Sequence, residues 1–98
     1  MIDQDRELLA GELGNATAEW IARADRPGRL ERIAAGAEVI RLFRAKYDDA
    51  TAATWLWGTC RELGGRSPVE VLRSSTSRAG TTPVVAAARS FLNDPGYD

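Results

Sequence analysis

Between Leu30 and Tyr47 the apolar residues Leu30, Ile33, Ala34, Ala37, Ile40, Phe43 and Tyr47 fall three or four positions apart. This spacing matches the turn of an α-helix and lays the residues along one stripe, so it predicts a helix from about Gly28 to Tyr47. Strand-like alternation is nearly absent elsewhere, and the chain reads as all-α, a small helical bundle. Pro27 stands where a first helical turn tolerates proline, with Asp25 as a candidate cap. Val39 and Leu42 lie off the stripe and widen it, as a self-association face does.

Upstream, Arg6 to Ala24 is interrupted by Gly14-Asn15, a pair that favours a left-handed residue, and predicts two short helices joined by a turn. Downstream, Asp48 or Asp49 can cap a helix through Ala50, Ala53, Leu56 and Trp57 that Gly58 ends. Thr59 to Arg66, with Gly64-Gly65, is expected as a compact loop. Ser67-Pro68-Val69-Glu70 has the sequence of a capping box, with proline at the first helical position, and predicts a short helix to about Arg73. Ser74 to Gly80 is serine-rich and expected as an exposed link. Thr82-Pro83 is expected to restart a helix with Val84, Val85, Ala88, Phe91 and Leu92 on one side, and Asn93 to Asp98 to form a tail. Residues 1–28 then make an N-terminal part and 29–98 the main domain.

At 98 residues, 44% of them hydrophobic, the chain has room for a single core. Such a core buries only about 60–65% of the unfolded surface, so burial against a partner or a second copy would add stability, and a homo-oligomer or hetero-oligomer is expected. The formal net charge of −1 is too balanced to mark a general polyanion binder or a membrane-surface protein. Met1 to Arg32 carries five Arg against seven acidic residues, whereas Arg61 to Leu92 carries five Arg against only Glu62 and Glu70. The C-terminal third is therefore the part suited to an acidic partner. Cys60 stands alone, which rules out an internal disulfide and points to a reducing compartment. With no His, the Ser-His-Asp and Cys-His routes to catalysis are closed, as is the commonest transition-metal ligand. The acidic start and the lack of a long apolar run argue against a signal peptide or a membrane span, so a cytoplasmic location is expected.

Individual residues divide as follows. Trp55 and Trp57 point roughly 200° apart on a helix, so Trp55 is expected in the core and Trp57 at a surface that another chain covers. Gly64-Gly65 fits no nucleotide fingerprint and reads as a structural turn. Ser67 and Thr82 are explained by capping, and the acidic pairs Asp48-Asp49 and Glu62 with Glu70 by a cap and a solvated surface, with no metal-site clustering. Cys60 reads as a small buried or half-buried apolar group. An enzyme, which would have to draw on Glu62, Glu70 or Cys60, is the reading the residues favour least; no cofactor and no metal is expected.

Three elements occur in a definite order: the helix Ala37-Glu38-Val39-Ile40-Arg41-Leu42-Phe43; the run Ala53-Thr54-Trp55-Leu56; and Glu62-Leu63-Gly64-Gly65-Arg66-Ser67-Pro68-Val69-Glu70-Val71-Leu72, followed by Ala87-Ala88-Arg89-Ser90-Phe91-Leu92. In this order the segment Ala37 to Leu92 resembles the toxin-binding domain of the Xre/MbcA/ParS antitoxin family. That pattern has a Trp-containing helix, a Leu-Gly-Gly turn, a Ser-Pro helix start and a closing helix. The resemblance implies a non-catalytic protein of a type II toxin–antitoxin system. Its expected partner is a RES-domain toxin that consumes or transfers part of NAD, whose nucleotide pocket the C-terminal domain and tail would cover. The residues whose local chemistry suits toxin binding are Trp57, Arg66, Arg73, Arg78 and Arg89, with Phe91, Leu92 and Tyr97 as apolar anchors. The arginines offer forked donors suited to carboxylates, and aromatic anchors dominate interface energy.

The stretch Leu9 to Ile21 is similar to the helix-turn-helix core that members of this family carry ahead of the toxin-binding domain. The helix after the glycine would then enter a DNA groove, with Asn15, Thr17, Trp20 and Arg23 as the contacts. It departs from the pattern in two respects: little chain precedes Leu8, so this part is expected to be reduced, and Glu19 and its neighbours make the surroundings acidic where phosphate neutralisation is needed. The function expected from the sequence is thus an antitoxin that also regulates its own operon. The alternatives are a DNA-binding transcriptional regulator or a helical protein–protein adaptor.

Overall fold

Residues 29–44 form the element around which the others gather. The computed structural model describes residues 2–22, 26–47 and 49–93, and among them finds six α-helices and no strand. These are α1 (Ile2–Leu13), α2 (Asn15–Ala22), α3 (Arg29–Arg44), α4 (Asp49–Trp57), α5 (Pro68–Ser74) and α6 (Arg78–Asn93). α3 packs chiefly against α1 on one side and α6 on another. The all-α reading holds, and no helix among the described residues is long and apolar enough to cross a membrane.

α3 is narrower at its ends and broader at its middle than its stripe suggests. Ile33, Ala37, Ile40 and Phe43 are buried as expected, but so are Arg32, Ala35, Gly36 and Val39. Leu30, Ala34 and Tyr47 are exposed instead. The middle of α3 is enclosed because α1 approaches closely: a Cβ on Gly36 would lie 2.8 Å from Leu9 Cδ1. Val39 is buried in the chain's own core and Leu42 is half-buried against it, so the widened face is internal and not one for self-association. Leu9, Ala18 and Ile21 from the first two helices share that core with Phe43, Leu56, Leu72 and Val84. Each such large side chain contributes about 1.5–3 kcal/mol on leaving water.

The helix boundaries follow local chemistry, with three corrections. First, Pro27 lies outside α3, which begins after Gly28; that glycine adopts φ +87, and an added Cβ would lie 2.5 Å from the Thr76 carbonyl carbon. No side-chain bond caps this end, and Asp25 lies outside the described residues. Second, Ser67 occupies the N-cap of α5, but its hydroxyl donates to the Glu70 carboxylate at 2.7 Å instead of accepting a helix N–H. Glu70 in turn accepts from the Ser67 backbone, so only half of the expected box forms. Third, α6 starts at Arg78, ahead of Thr82-Pro83, and Pro83 sits inside it. Proline there removes one backbone bond, and the hydroxyls of Thr81 and Thr82 both donate to the Arg78 carbonyl, at 3.0 and 2.8 Å. Thr82 is therefore not a cap, and Ser75, in the expected exposed link, is buried. Within the Thr59–Arg66 loop, Arg61–Leu63 make a single 3-10 turn, closed by the Cys60 N–H donating to the Arg66 carbonyl at 3.1 Å and the Gly65 N–H donating to the Cys60 carbonyl at 2.9 Å.

Charged side chains tie the helices together. Arg32 is fully buried and donates to the backbone carbonyls of Ile21 at 2.8 Å, Ser75 at 2.7 Å and Arg26 at 3.3 Å, and to those of Ala22 and Pro27. A buried guanidinium is tolerable only when its donors are met this fully. Glu12 on α1, its side chain nearly enclosed, accepts from Arg44 at 3.0 Å and from the Ala53 N–H at 3.3 Å. Lys46 donates to the Leu92 carbonyl and so closes the end of α6 against the end of α3.

Candidate protein interface

The residues expected to meet a partner separate into three groups. Trp57, at the end of α4, is 51% exposed, and its indole stacks on that of Trp20, with centroids 6.1 Å apart and planes 22° from parallel. The Arg73 guanidinium lies over the other ring of the pair, 4.7 Å from the Trp20 centroid. Arg73 Nε is buried without a hydrogen-bond partner among the described residues, so the π face is what holds this cation in place. Arg66 reaches toward the same helix, donating to Ser74 Oγ at 3.3 Å. Sequence reasoning assigned Trp20 to DNA and Trp57 and Arg73 to a protein partner, whereas α2, α4 and α5 bring all three into one patch. The separation of Trp55 and Trp57 is as expected: Trp55 is half-buried and packs on Phe43 at 5.4 Å.

Arg78 and Arg89 form the second group, on the α6 wall of an open groove of about 700 Å³ between α3 and α6. The α3 wall carries Glu31 and Glu38, and the small residues Ala34, Ala35 and Ala86 line the space between. Arg89 pairs with Glu38 across it at 3.3 Å, both side chains being largely solvated. Leu30, 58% exposed, stands on the rim. Sequence reasoning missed this groove because it placed Leu30 and Ala34 in the core.

The third group turns inward. Leu92 is buried in the chain's own core, and Phe91 is half-buried, stacked on Phe43 at 5.6 Å and tilted against Trp55 at 6.3 Å. Leu92 therefore offers no outward anchor, and most of the Phe91 ring serves the fold. Their position on the helix face that packs against α3 accounts for this. Tyr97 lies outside the described residues.

The DNA-contact set is dispersed. Asn15 is exposed at the start of α2, Thr17 is half-buried, Trp20 is engaged in the aromatic patch, and Arg23 lies outside the described residues. Gly14 alone separates α1 from α2, where the DNA-reading motif uses a turn of about three to four residues. Glu19 is bonded to Arg6 on α1 at 2.6 Å, which keeps a carboxylate on this surface.

The carboxyl of Glu70 holds its proton less tightly than an ordinary glutamate. The Ser67 hydroxyl, the Ser67 backbone and, after a small opposing effect of burial, the charge of Arg66 hold its pKa below the usual value. Among the described residues no three of His, Cys, Asp and Glu gather in a way that could hold a metal ion. Compared with known proteins, the chain matches no family model, no curated protein and no solved structure.

Proposed function

We propose that this chain is an antitoxin that binds a RES-domain, NAD-consuming toxin and covers its nucleotide pocket without performing chemistry itself. The observation that carries the reading is the stacked Trp20–Trp57 pair held at the surface under Arg73. Two large aromatic rings left partly in water, already fixed in one arrangement and joined to an arginine, have the composition of an interface hot spot. They lose little conformational freedom on binding, so more of the contact energy appears as affinity. The ordered resemblance from Ala37 to Leu92 supplies the class of partner.

In this reading the aromatic patch supplies the apolar centre, while Arg66 and Arg73 meet carboxylates at the mouth of the toxin. Arg78 and Arg89 are contacts at a second edge. Operator binding is not part of the proposal: the one-residue joint after α1 and the exposed Glu19 disfavour a phosphate-following helix.

The test is co-expression with the RES-like product of a neighbouring gene. The expected result is a complex that survives two purification steps, restored growth, and loss of both with Trp20→Ala combined with Trp57→Ala. Failure to co-purify with a folded toxin, or full protection by the doubly substituted chain, would refute it.

A further inference from the structure

We propose that the groove between α3 and α6 is the contact between two copies of this chain. The walls of the groove carry opposite charge: Glu31 and Glu38 on α3, Arg78 and Arg89 on α6. The two helices run in the same direction. Their starts meet where Gly28 touches Thr76, and their ends meet where Lys46 binds the Leu92 carbonyl.

That geometry is self-complementary. A two-fold axis running along the groove carries the α3 of each copy over the α6 of the other and leaves heights along the helices unchanged. Glu38 and Arg89, already level with each other at 3.3 Å, then face their opposites in the second copy. Glu31 and Arg78, which have no ionic partner among the described residues, come together at the other end. A single surface that pairs with itself in this way is what a closed dimer requires.

Exposure agrees with charge. Leu30 is the large apolar residue that projects from the rim, and a facing copy would take it out of water. Leu30 thus has a reason to be 58% exposed at the start of α3. None of Trp20, Trp57 and Arg73 lines the groove, so pairing of copies leaves the aromatic patch uncovered.

Analytical ultracentrifugation of the purified chain alone, over a micromolar concentration series, tests this without any toxin. Its outcome is therefore independent of the toxin-binding proposal. The wild-type chain is expected to approach the mass of two copies. Glu31→Arg or Arg78→Glu alone places like charges opposite each other twice per dimer and is expected to raise the dissociation constant by about tenfold. The two swaps combined restore attraction and should return it to near the wild-type value. Leu30→Asp should give single chains, and circular dichroism should show unchanged helix content in every variant, since all three positions are exposed. A wild-type chain that keeps the mass of one copy throughout would overturn the proposal. So would single swaps without effect, or a folded double swap that fails to regain pairing.

Discussion

The indole of Trp57 rests against that of Trp20 at the surface, and the Arg73 guanidinium closes over the pair from α5. The ring of Trp57 contributes little to the core because half of it remains in water. If the proposed function holds, Trp57→Ala should therefore weaken the complex with the toxin by about 2 kcal/mol, roughly thirtyfold, while Tm falls by only a few degrees. Calorimetric titration and a thermal melt on the same sample separate the two effects. A large drop in Tm with unchanged affinity would assign the ring to the fold.

Arg32 is expected to behave in the opposite way, as a residue for stability alone. Arg32→Met leaves several carbonyls without donors and should cost about 3 kcal/mol or more in urea unfolding. Arg32→Lys should recover little of this, because one ammonium cannot stand at the three positions of the guanidinium nitrogens, where Nε serves Ile21, Nη1 serves Pro27 and Ser75, and Nη2 serves Ala22. A lysine variant as stable as wild type would show that charge, and not the planar fork, is what matters there.

Two glycines should respond with opposite signs. At Gly28 an alanine meets both the left-handed backbone and the Thr76 main chain, so Gly28→Ala should destabilise by about 2 kcal/mol or more. At Gly11, exposed within α1 and with open space around it, Gly11→Ala should stabilise by about 0.5–1 kcal/mol. Denaturation midpoints of the two variants against wild type decide both.

The altered acidity of Glu70 gives a pH dependence of defined sign. Its folded-state pKa is depressed, so the stabilisation is fully present above the usual glutamate value of 4.5 and is lost as pH falls through the lower folded value. Glu70→Gln should therefore be less stable than wild type at neutral pH, and the gap should close only below about pH 4.5. A gap that does not change from neutral pH down through that range would assign the effect to packing instead of charge.

How far these features could be read from the sequence depended on their range. α4 and α5 were legible because they are set by residues within a few positions of one another: Gly58 at one end, Ser67-Pro68 at the other start. The start of α6 was misplaced because Thr82-Pro83 reads as a first helical turn, whereas the helix begins at Arg78 and carries Pro83 inside it at the loss of one backbone bond. Arg32 was invisible because a charged residue on a helix is normally solvated, and only the remote carbonyls of Ile21 and Ser75 make its burial possible. Leu30 and Tyr47 satisfied the periodicity yet lie where no neighbouring helix extends to cover them. The candidate interface was half legible: each tryptophan was singled out, but their meeting depends on tertiary packing that no local pattern encodes.

The bonds of Arg32 leave the molecule without a seam. One side chain grips the close of α2, the turn ahead of α3 and the far side of α5, so a cut anywhere between Ile21 and Ser75 strands part of that grip. Fragments made for split-reporter assays would have to reassemble before either became ordered, and heating should melt the intact chain in a single cooperative step.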